Sequence, residues 1–189
     1  MLAPAVEALR AGELVVLPTD TVYGLAAHPD FPAAIARVYA VKERPAEKAL
    51  PLLVTGAAQA ATVVRVSPLA ERLMARFWPG GLTLVLPTLA GDGTLAVRMP
   101  DHPVPLALIA ALGAPLATTS ANRSGQPSCT TAADVLAQLP AGYAVLVDAG
   151  PSPGGQDSTV LDLTSDPARV LRAGAITTEA LAAVVRIAG

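Results

Sequence analysis

The chain reads Leu14-Val15-Val16-Leu17-Pro18-Thr19-Asp20-Thr21-Val22-Tyr23-Gly24 near its start, an apolar run that leads directly into hydroxyls and a carboxylate. Consecutive apolar residues bounded by turn-forming residues are typical of a buried strand. In α/β proteins the loops that follow such strands commonly hold ligands. The segment therefore predicts a buried first strand followed by a candidate binding loop.

The rest of the chain alternates between helical and strand patterns, without an internal repeat or a shift in composition. Helices are predicted at residues 4–11, 30–41, 56–61, 67–77, 104–112 and 131–139, and from residue 177. Strands are predicted at residues 14–17, 50–54, 63–66, 82–86, 94–99, 116–119, 144–147, 158–163 and 169–172.

Turn and cap residues refine this pattern. Gly91-Asp92-Gly93 predicts a hairpin between two strands, Asp30 is the expected N-cap of the second helix, and Thr131 and Asp134 have capping-box spacing. We expect one α/β domain over residues 1–189, with a sheet of mixed parallel and antiparallel strands.

The composition excludes several classes of protein. Hydrophobic residues make up 52% of the 189 residues and charged residues 15%, which excludes disorder caused by high charge. Aromatic residues make up 3%, which argues against stacking platforms for single-stranded nucleic acid. A net charge of −2 argues against nucleic-acid binding by bulk charge.

Localisation and redox context follow from the termini and the cysteine. The single Cys129 cannot form an internal disulfide, and the first residues lack a signal-peptide pattern. We expect a cytoplasmic protein without a membrane segment. Cys129 lies in a polar loop without an evident base, so it is expected to fill space.

The common nucleotide and nucleophile motifs are absent from the sequence. It has no G-x-x-x-x-G-K-[ST] loop, no G-x-G-x-x-G turn and no G-x-S-x-G elbow. His28 and His102 each precede a proline and have no Cys, His or carboxylate cluster at metal-ligand spacing. We therefore expect no metal centre held by protein ligands, and any phosphate site must be built in another way.

The two lysines of the chain both lie in Lys42-Glu43-Arg44-Pro45-Ala46-Glu47-Lys48. An ammonium acts as a point charge on phosphate or carboxylate oxygens, and a guanidinium can bind two oxygens at once. The cluster predicts an anion site. The alternative is a solvated helix end whose cations face the C-terminal end of the helix dipole.

Two further groups of polar residues lie at strand ends. Residues 118–128 combine hydroxyls, an amide and a glycine between a strand and a helix, which can supply neutral donors to phosphate oxygens, although such loops are also common as turns. Arg98 and Arg172 end predicted strands, where an unpaired buried arginine is costly. They predict an anionic ligand, with internal pairs to Asp148 or Asp162 as the structural alternative.

Taken together, the sequence resembles the YrdC-like family of L-threonylcarbamoyladenylate synthases from about residue 8 to about residue 175. The segments that carry the resemblance are Pro18-Thr19-Asp20-Thr21-Val22-Tyr23-Gly24-Leu25, Lys42-Glu43-Arg44-Pro45, Trp78-Pro79-Gly80-Gly81-Leu82-Thr83, Val97-Arg98-Met99-Pro100-Asp101-His102-Pro103, Ser120-Ala121-Asn122-Arg123-Ser124-Gly125, Ser158-Thr159-Val160 and Arg172-Ala173-Gly174. They occur in the family's order and spacing.

The resemblance implies a twisted open α/β sheet with flanking helices and a concave, positively charged cleft. It implies binding of ATP, L-threonine and bicarbonate, with magnesium on the phosphates as cofactor. The implied products are threonylcarbamoyl-AMP and pyrophosphate. Partner proteins would use the former to modify the adenosine beside the anticodon of certain tRNAs.

The resemblance also implies roles for individual residues. L-Threonine is expected at Thr21, Arg98, Thr118 and Ser158. The nucleotide is expected at Lys42, Arg44, Lys48, Thr94, Ser120, Asn122, Ser128 and Arg172. We expect Lys42 and Arg44 to carry catalysis as exposed cleft residues, whereas Asp20 and Tyr23 only shape their loop.

The sequence departs from the family pattern at Gly81 and Ala49, where proline is usual, and at Leu53, where longer relatives have histidine. Because the chain stops at Gly189, the additional C-terminal domain of the longer branch is expected to be absent, as in the short bacterial form.

Two other functions compete with the synthase. One is a double-stranded RNA or tRNA-binding module without catalysis, and the other is a relative of the carbamoyl-transfer domains in hydrogenase-maturation proteins. Threonine-dependent release of pyrophosphate from ATP distinguishes the enzyme from the RNA-binding module.

Overall fold

The computed structural model describes residues 2–43, 45 and 48–188. The helices are α1 (Ala3–Arg10), α2 (Pro32–Lys42), α3 (Ala57–Ala60), α4 (Pro68–Phe77), α5 (Pro103–Leu112), α6 (Ala132–Gln138) and α7 (Thr178–Ala182). The strands are β1 (Val15–Leu17), β2 (Gly24–Ala27), β3 (Leu52–Leu53), β4 (Leu82–Pro87), β5 (Thr94–Arg98), β6 (Leu116–Ser120), β7 (Val145–Leu146), β8 (Thr159–Asp162) and β9 (Arg169–Arg172).

These strands form one sheet in the order β7-β1-β2-β6-β3-β5-β4-β8-β9. The pairs β1–β7, β3–β5 and β4–β8 are parallel, and the other neighbouring pairs are antiparallel. The predicted hairpin is the β4–β5 pair. The expected open mixed sheet with flanking helices is thereby confirmed.

One face of the sheet is covered along most of its width. Successive strand residues point to opposite faces, so Leu82, Leu84 and Leu86 of β4 share one side. They belong to the first hydrophobic cluster, to which the helices contribute Val38 of α2, Ala60 of α3, Leu73 of α4, Val135 of α6 and Leu181 of α7. This cluster forms the larger part of the core.

The opposite face is covered over the β1, β2 and β6 side of the sheet. The second hydrophobic cluster joins residues of α1 and α5 to alternate residues of the strands, namely Leu9, Leu108 and Ile109 to Val15, Leu17, Ala26, Leu53 and Leu116. Beyond Leu53 this face opens into a cleft, and none of the described residues that line the cleft belongs to a helix.

The structure differs from the local predictions at residues 63–66, at β2 and at the N-cap of α2. Residues 63–66 form no strand, because Val63 and Val64 continue the turn after α3 through N–H bonds to the Ala60 carbonyl, and Val64 makes an isolated bridge with Thr88. The strand β2 was missed because its sequence, Gly-Leu-Ala-Ala, has low strand propensity.

The N-cap of α2 is Phe31 rather than Asp30, since Pro32 occupies the first turn, where its missing N–H costs nothing. The capping box of Thr131 and Asp134 at α6 is confirmed. Among the described residues, no helix combines the length and hydropathy needed to cross a membrane.

The first hydrophobic cluster predicts a strong position dependence of leucine truncation. Leu73→Ala in α4 removes a fully buried side chain and should lower the free energy of unfolding by about 2–5 kcal/mol, because it leaves a cavity. Leu136→Ala in α6 is the matched control: that side chain is 53% exposed, so a change within about 0.5 kcal/mol is expected. Urea unfolding measures both, and equal losses would contradict the packing described.

Candidate active site

The cleft has a volume of about 360 Å³ and lies on the part of the sheet where no helix of the described residues contributes to its lining. Alternate residues of a strand share a face. In the strands of the cleft, one alternating set of side chains forms the floor and the other set packs in the core. These floor residues are Leu53, Thr83, Val85, Thr94, Ala96, Arg98, Thr118, Ser120 and Val160. The floor therefore combines apolar side chains with hydroxyls and one guanidinium.

The loop after β1 is organised by one hydroxyl. Thr19 Oγ1 donates to the Val22 carbonyl at 2.7 Å and accepts from the backbone N–H groups of Thr21 and Val22. The Thr19 and Thr21 hydroxyls lie 3.0 Å apart. This turn holds the Thr21 hydroxyl at the edge of the cleft.

A second loop clamps the first through its backbone. The N–H groups of Gly154 and Gly155 donate to the carbonyls of Asp20 and Thr21 at 2.9 Å. A Cβ at Gly154 would collide with the Asp20 carbonyl, so this close approach requires glycine.

Arg98 is the buried cation of the cleft, with 6% of its surface exposed. Its Nε donates to the Gly80 carbonyl at 2.9 Å, Nη1 to Thr21 Oγ1 at 2.9 Å, and Nη2 to Asp20 Oδ1 at 2.6 Å. Burial lowers the pKa of Arg98, while the charge of Asp20 opposes that shift. A guanidinium stays protonated in proteins, so the group is a fixed positive charge.

Both strand-end arginines are paired, although not with the acids considered from the sequence. Arg98 pairs with Asp20, and Arg172 lies 3.7 Å from Asp157. Of the acids expected, Asp148 accepts a hydrogen bond from the Tyr23 hydroxyl, and Asp162 pairs with Arg169. Burial and Asp148 together raise the pKa of Tyr23 to about 12, so its phenol remains neutral.

A second polar group lies around Ser158, at the start of β8. Arg172 Nη2 donates to Ser158 Oγ at 2.9 Å and its Nε donates to the Ser158 carbonyl at 3.0 Å. The Thr83 hydroxyl lies 2.8 Å from Ser158 Oγ. Ser128 Oγ donates to Asp157 Oδ1 at 3.1 Å, which ties the loop before α6 to the same group.

Lys42 is buried, with 1% of its surface exposed, so the expectation of an exposed cleft lysine is wrong. Its Nζ donates to the Ser120 carbonyl, to the Asn122 carbonyl at 2.6 Å and to Asn122 Oδ1 at 3.3 Å. The Asn122 amide in turn donates to the carbonyls of Arg123 and Gln126. The ammonium thus shapes the loop after β6 from behind the cleft.

The structure brings together most of the predicted site residues. Those that line the cleft are Thr21, Thr94, Arg98, Thr118, Ser120, Ser158 and Arg172. Lys42 and Asn122 lie behind the lining, Ser128 bonds to the lining residue Asp157, and Lys48 is exposed in the segment before β3. Arg44 lies outside the described residues.

Several residues that contribute to the cleft were not recognised from the sequence pattern. Thr19, Thr83, Asp157 and the Gly80 carbonyl were given no role, and Asp20 was given only a shaping role. The alternation of Thr83 and Val85 with the leucines of β4 is a signal that could have placed Thr83 on the floor. Of the three departures from the family pattern, Ala49 and Leu53 line the cleft. At the third, Gly81, a Cβ would lie 2.7 Å from Ala175 Cβ.

Both histidines and the cysteine have structural contacts. Nδ1 of His28 accepts the Asp30 N–H, and Nδ1 of His102 accepts the Val104 N–H. Cys129 is buried, which raises the pKa of its thiol to about 11 and keeps it protonated. Within the described part of the chain, no three His, Cys, Asp or Glu residues gather at metal-binding distances.

Two named proteins and one solved structure that are similar to this chain match it over most of its length. A Bacillus subtilis protein named threonylcarbamoyl-AMP synthase is 42% identical over 97% of this chain, which spans 56% of that protein. A Vibrio cholerae protein of the same name is 40% identical over 92% of this chain and 97% of its own length. Among solved structures, P. abyssi Sua5 complexed with L-threonine has a TM-score of 0.91 at 39% identity, over 97% of this chain and 58% of that one.

A protein-family profile described as "Telomere recombination", which covers Sua5, YciO and YrdC, matches residues 7–174. The profile and the relatives confirm the resemblance inferred from the sequence motifs, and the chain belongs to the Sua5/YciO/YrdC family.

Proposed function

We propose that the chain is an L-threonylcarbamoyladenylate synthase, which forms threonylcarbamoyl-AMP and pyrophosphate from L-threonine, bicarbonate and ATP. The observation that carries the proposal is the buried Arg98 on the floor of a hydroxyl-lined cleft. The names of relatives that align over nearly the whole chain support it.

The amino-acid end of the cleft is the region of Arg98. Three of the five N–H donors of this guanidinium are engaged by Gly80, Thr21 and Asp20 within the described structure, and the others can bind a carboxylate. The hydroxyls of Thr21, Thr118 and Ser158 line the same cleft. We assign these residues to L-threonine.

The nucleotide end takes in Arg172, Thr94, Ser120 and Lys48, with Asn122 and Ser128 supporting its loops. Arg172 is about half exposed at the edge of the sheet, where its guanidinium can reach phosphate oxygens. Lys42 acts on this end by holding the backbone of the loop after β6. Arg44 is proposed as a further catalytic residue from the family pattern alone.

The proposed reaction needs no covalent nucleophile. The threonine amine attacks the carbon of bicarbonate with loss of water, and a carbamate oxygen then attacks the α-phosphorus of ATP as pyrophosphate leaves. Such transfers are accelerated mainly by positioning and by stabilising the spread negative charge. Arginines, hydroxyls and backbone donors of the kind found in the cleft provide both effects.

Magnesium fits this site as an ion that arrives on the phosphates. Among the described lining residues Asp157 is the carboxylate, one third exposed, and it offers one oxygen ligand, which suits Mg²⁺ bound mostly through substrate oxygens. When bound, the ion would neutralise charge on the departing pyrophosphate.

In the cell, the product would pass to tRNA-modification proteins, because a carbamoyl phosphoric anhydride is a reactive acyl donor. We place this step in the cytoplasm, and we assign residues 1–189 to a single functional domain.

The first test is pyrophosphate release by the purified chain with ATP, Mg²⁺, bicarbonate and L-threonine, with each component omitted in turn. Release should require both threonine and bicarbonate, and L-serine should support it less well. If the folded protein releases no pyrophosphate but binds tRNA, the synthase proposal is wrong and the function is that of an RNA-binding module.

Arg98→Lys tests the amino-acid end. The substitution keeps the charge but loses the two-pronged geometry, so the KM for L-threonine should rise at least about tenfold while the KM for ATP changes little. Arg186→Lys is the matched control, because Arg186 pairs with Asp166 on the exposed surface. Steady-state kinetics decide, and an equal rise in both KM values would remove Arg98 from the threonine site.

Lys42→Met tests the buried ammonium. Removing it leaves carbonyls of the loop after β6 without their charged donor, so stability should fall by about 2 kcal/mol or more together with turnover. Urea unfolding and kinetics on the same sample measure both. Lost turnover at unchanged stability would instead support direct contact between Lys42 and the nucleotide.

A further inference from the structure

Thr83 is a buried hydroxyl of the cleft. It ends one of the segments that carry the family resemblance, but neither the resemblance nor the proposed reaction gives it a role. It lies on β4 beside the start of β8, where Leu82 is paired with Thr159. Thr83 Oγ1 is 2.8 Å from Ser158 Oγ, and the residue is 2% exposed. Arg172 Nη2 reaches the same Ser158 Oγ at 2.9 Å. Two polar groups therefore converge on one hydroxyl oxygen.

The direction of the hydrogen bond between the two hydroxyls follows from counting donors and acceptors. A serine hydroxyl has one proton and two acceptor positions. Within the described residues, the Thr83 hydroxyl has Ser158 as its hydrogen-bond partner, and a buried O–H without an acceptor costs free energy. When Thr83 donates to Ser158 Oγ, the buried Thr83 O–H has an acceptor, and Ser158 uses one of its two acceptor positions.

Arg172 and Thr83 then fill both acceptor positions of Ser158, and the Ser158 proton is left for the cleft. The reverse direction would turn a Ser158 lone pair toward the cleft, where it would repel the oxygens of an anionic ligand. Arg98 on the same floor is paired with Asp20, and within the described residues two of its five N–H donors remain for a ligand that presents a carboxylate to this end of the cleft.

We propose that Thr83 is a positioning residue that, together with Arg172, holds the Ser158 hydroxyl as a hydrogen-bond donor to an oxygen of L-threonine. This inference rests on the proposed function, since it takes L-threonine as the ligand. Thr83 acts through Ser158 and does not itself touch the substrate.

Thr83→Val, which removes the hydroxyl but keeps a similar shape, is the central variant. The KM for L-threonine should rise about threefold to tenfold, the effect of one misdirected hydrogen bond, while the KM for ATP changes less than about twofold. Thr83→Ser keeps the donor and should stay within about twofold of the wild-type value. A threonine KM unchanged in Thr83→Val overturns the proposal.

A double-mutant cycle with Ser158→Ala separates action through Ser158 from direct contact. Without the serine hydroxyl, Thr83→Val should cause no additional rise in the threonine KM. The same rise in both backgrounds would mean that Thr83 contacts the substrate itself, and the proposal would be wrong.

Thr159→Val is the matched control for burial. Thr159 is equally buried on the opposite face of β8, where its hydroxyl donates to the Ile176 carbonyl at 2.6 Å. This variant should lower the melting temperature and leave the threonine KM unchanged. An equal rise in the threonine KM for both variants would show general destabilisation and overturn the proposal.

Calorimetric titration of the same variants with L-threonine separates the two levels of inference. A wild-type chain that binds threonine but releases no pyrophosphate would refute the proposed reaction, while the Kd of each variant would still test the role of Thr83. A wild-type chain that binds no threonine would overturn both.

Discussion

The strict alternation of side chains along β4, β5 and β8 is the constraint on which the rest of the structure depends. Leu82, Leu84 and Leu86 enter the first hydrophobic cluster, and the residues between them form the floor of the cleft. Since a register slip of one residue would exchange the two faces, the packing of the leucines fixes the position of every floor side chain. The core beneath the cleft therefore determines which side chains form its floor.

The two buried cations show how the fold accommodates charge away from water. Lys42 is surrounded by carbonyl oxygens of the loop after β6, and Arg98 by one carboxylate, one carbonyl and one hydroxyl. Removing a charge from water costs several kcal/mol, which is offset only by well-placed partners. The Lys42 ammonium donates to oxygen atoms of the protein, whereas Arg98 lines the cleft and, within the described residues, three of its five N–H donors are engaged.

Much of the architecture could be predicted from local patterns, because most strands and helices begin and end near their expected residues. The exceptions have local causes. Val63, Val64 and Val66 have high strand propensity but lie in and after a turn, and β2 consists of glycine, leucine and alanine, so its place in the sheet depends on its neighbours. The resemblance to the family supplied most of the predicted residues that line the cleft.

The partners of the charged residues could not be predicted in the same way. The sequence did not single out one aspartate as the partner of Arg98, because its contact with Asp20 spans 78 positions of the chain. Lysine is ordinarily exposed, so the burial of Lys42 depends on carbonyls that reach it through the tertiary fold. Thr83 is a polar residue within an apolar strand. Its contact with Ser158 depends on the pairing of β4 with β8, which the local sequence pattern does not show.

Leu53 belongs to the second hydrophobic cluster, which includes residues of α1 and α5, and it also forms part of the cleft floor. A single side chain therefore serves both the packing of the helices and the floor of the site. A smaller residue there would enlarge the cleft and at the same time remove packing beneath two helices. A substitution at Leu53 that reshapes the cleft should therefore be accompanied by substitutions in α1 or α5 that restore the packing. We expect residue changes at Leu53 and at the cluster positions of these helices to be correlated across the family.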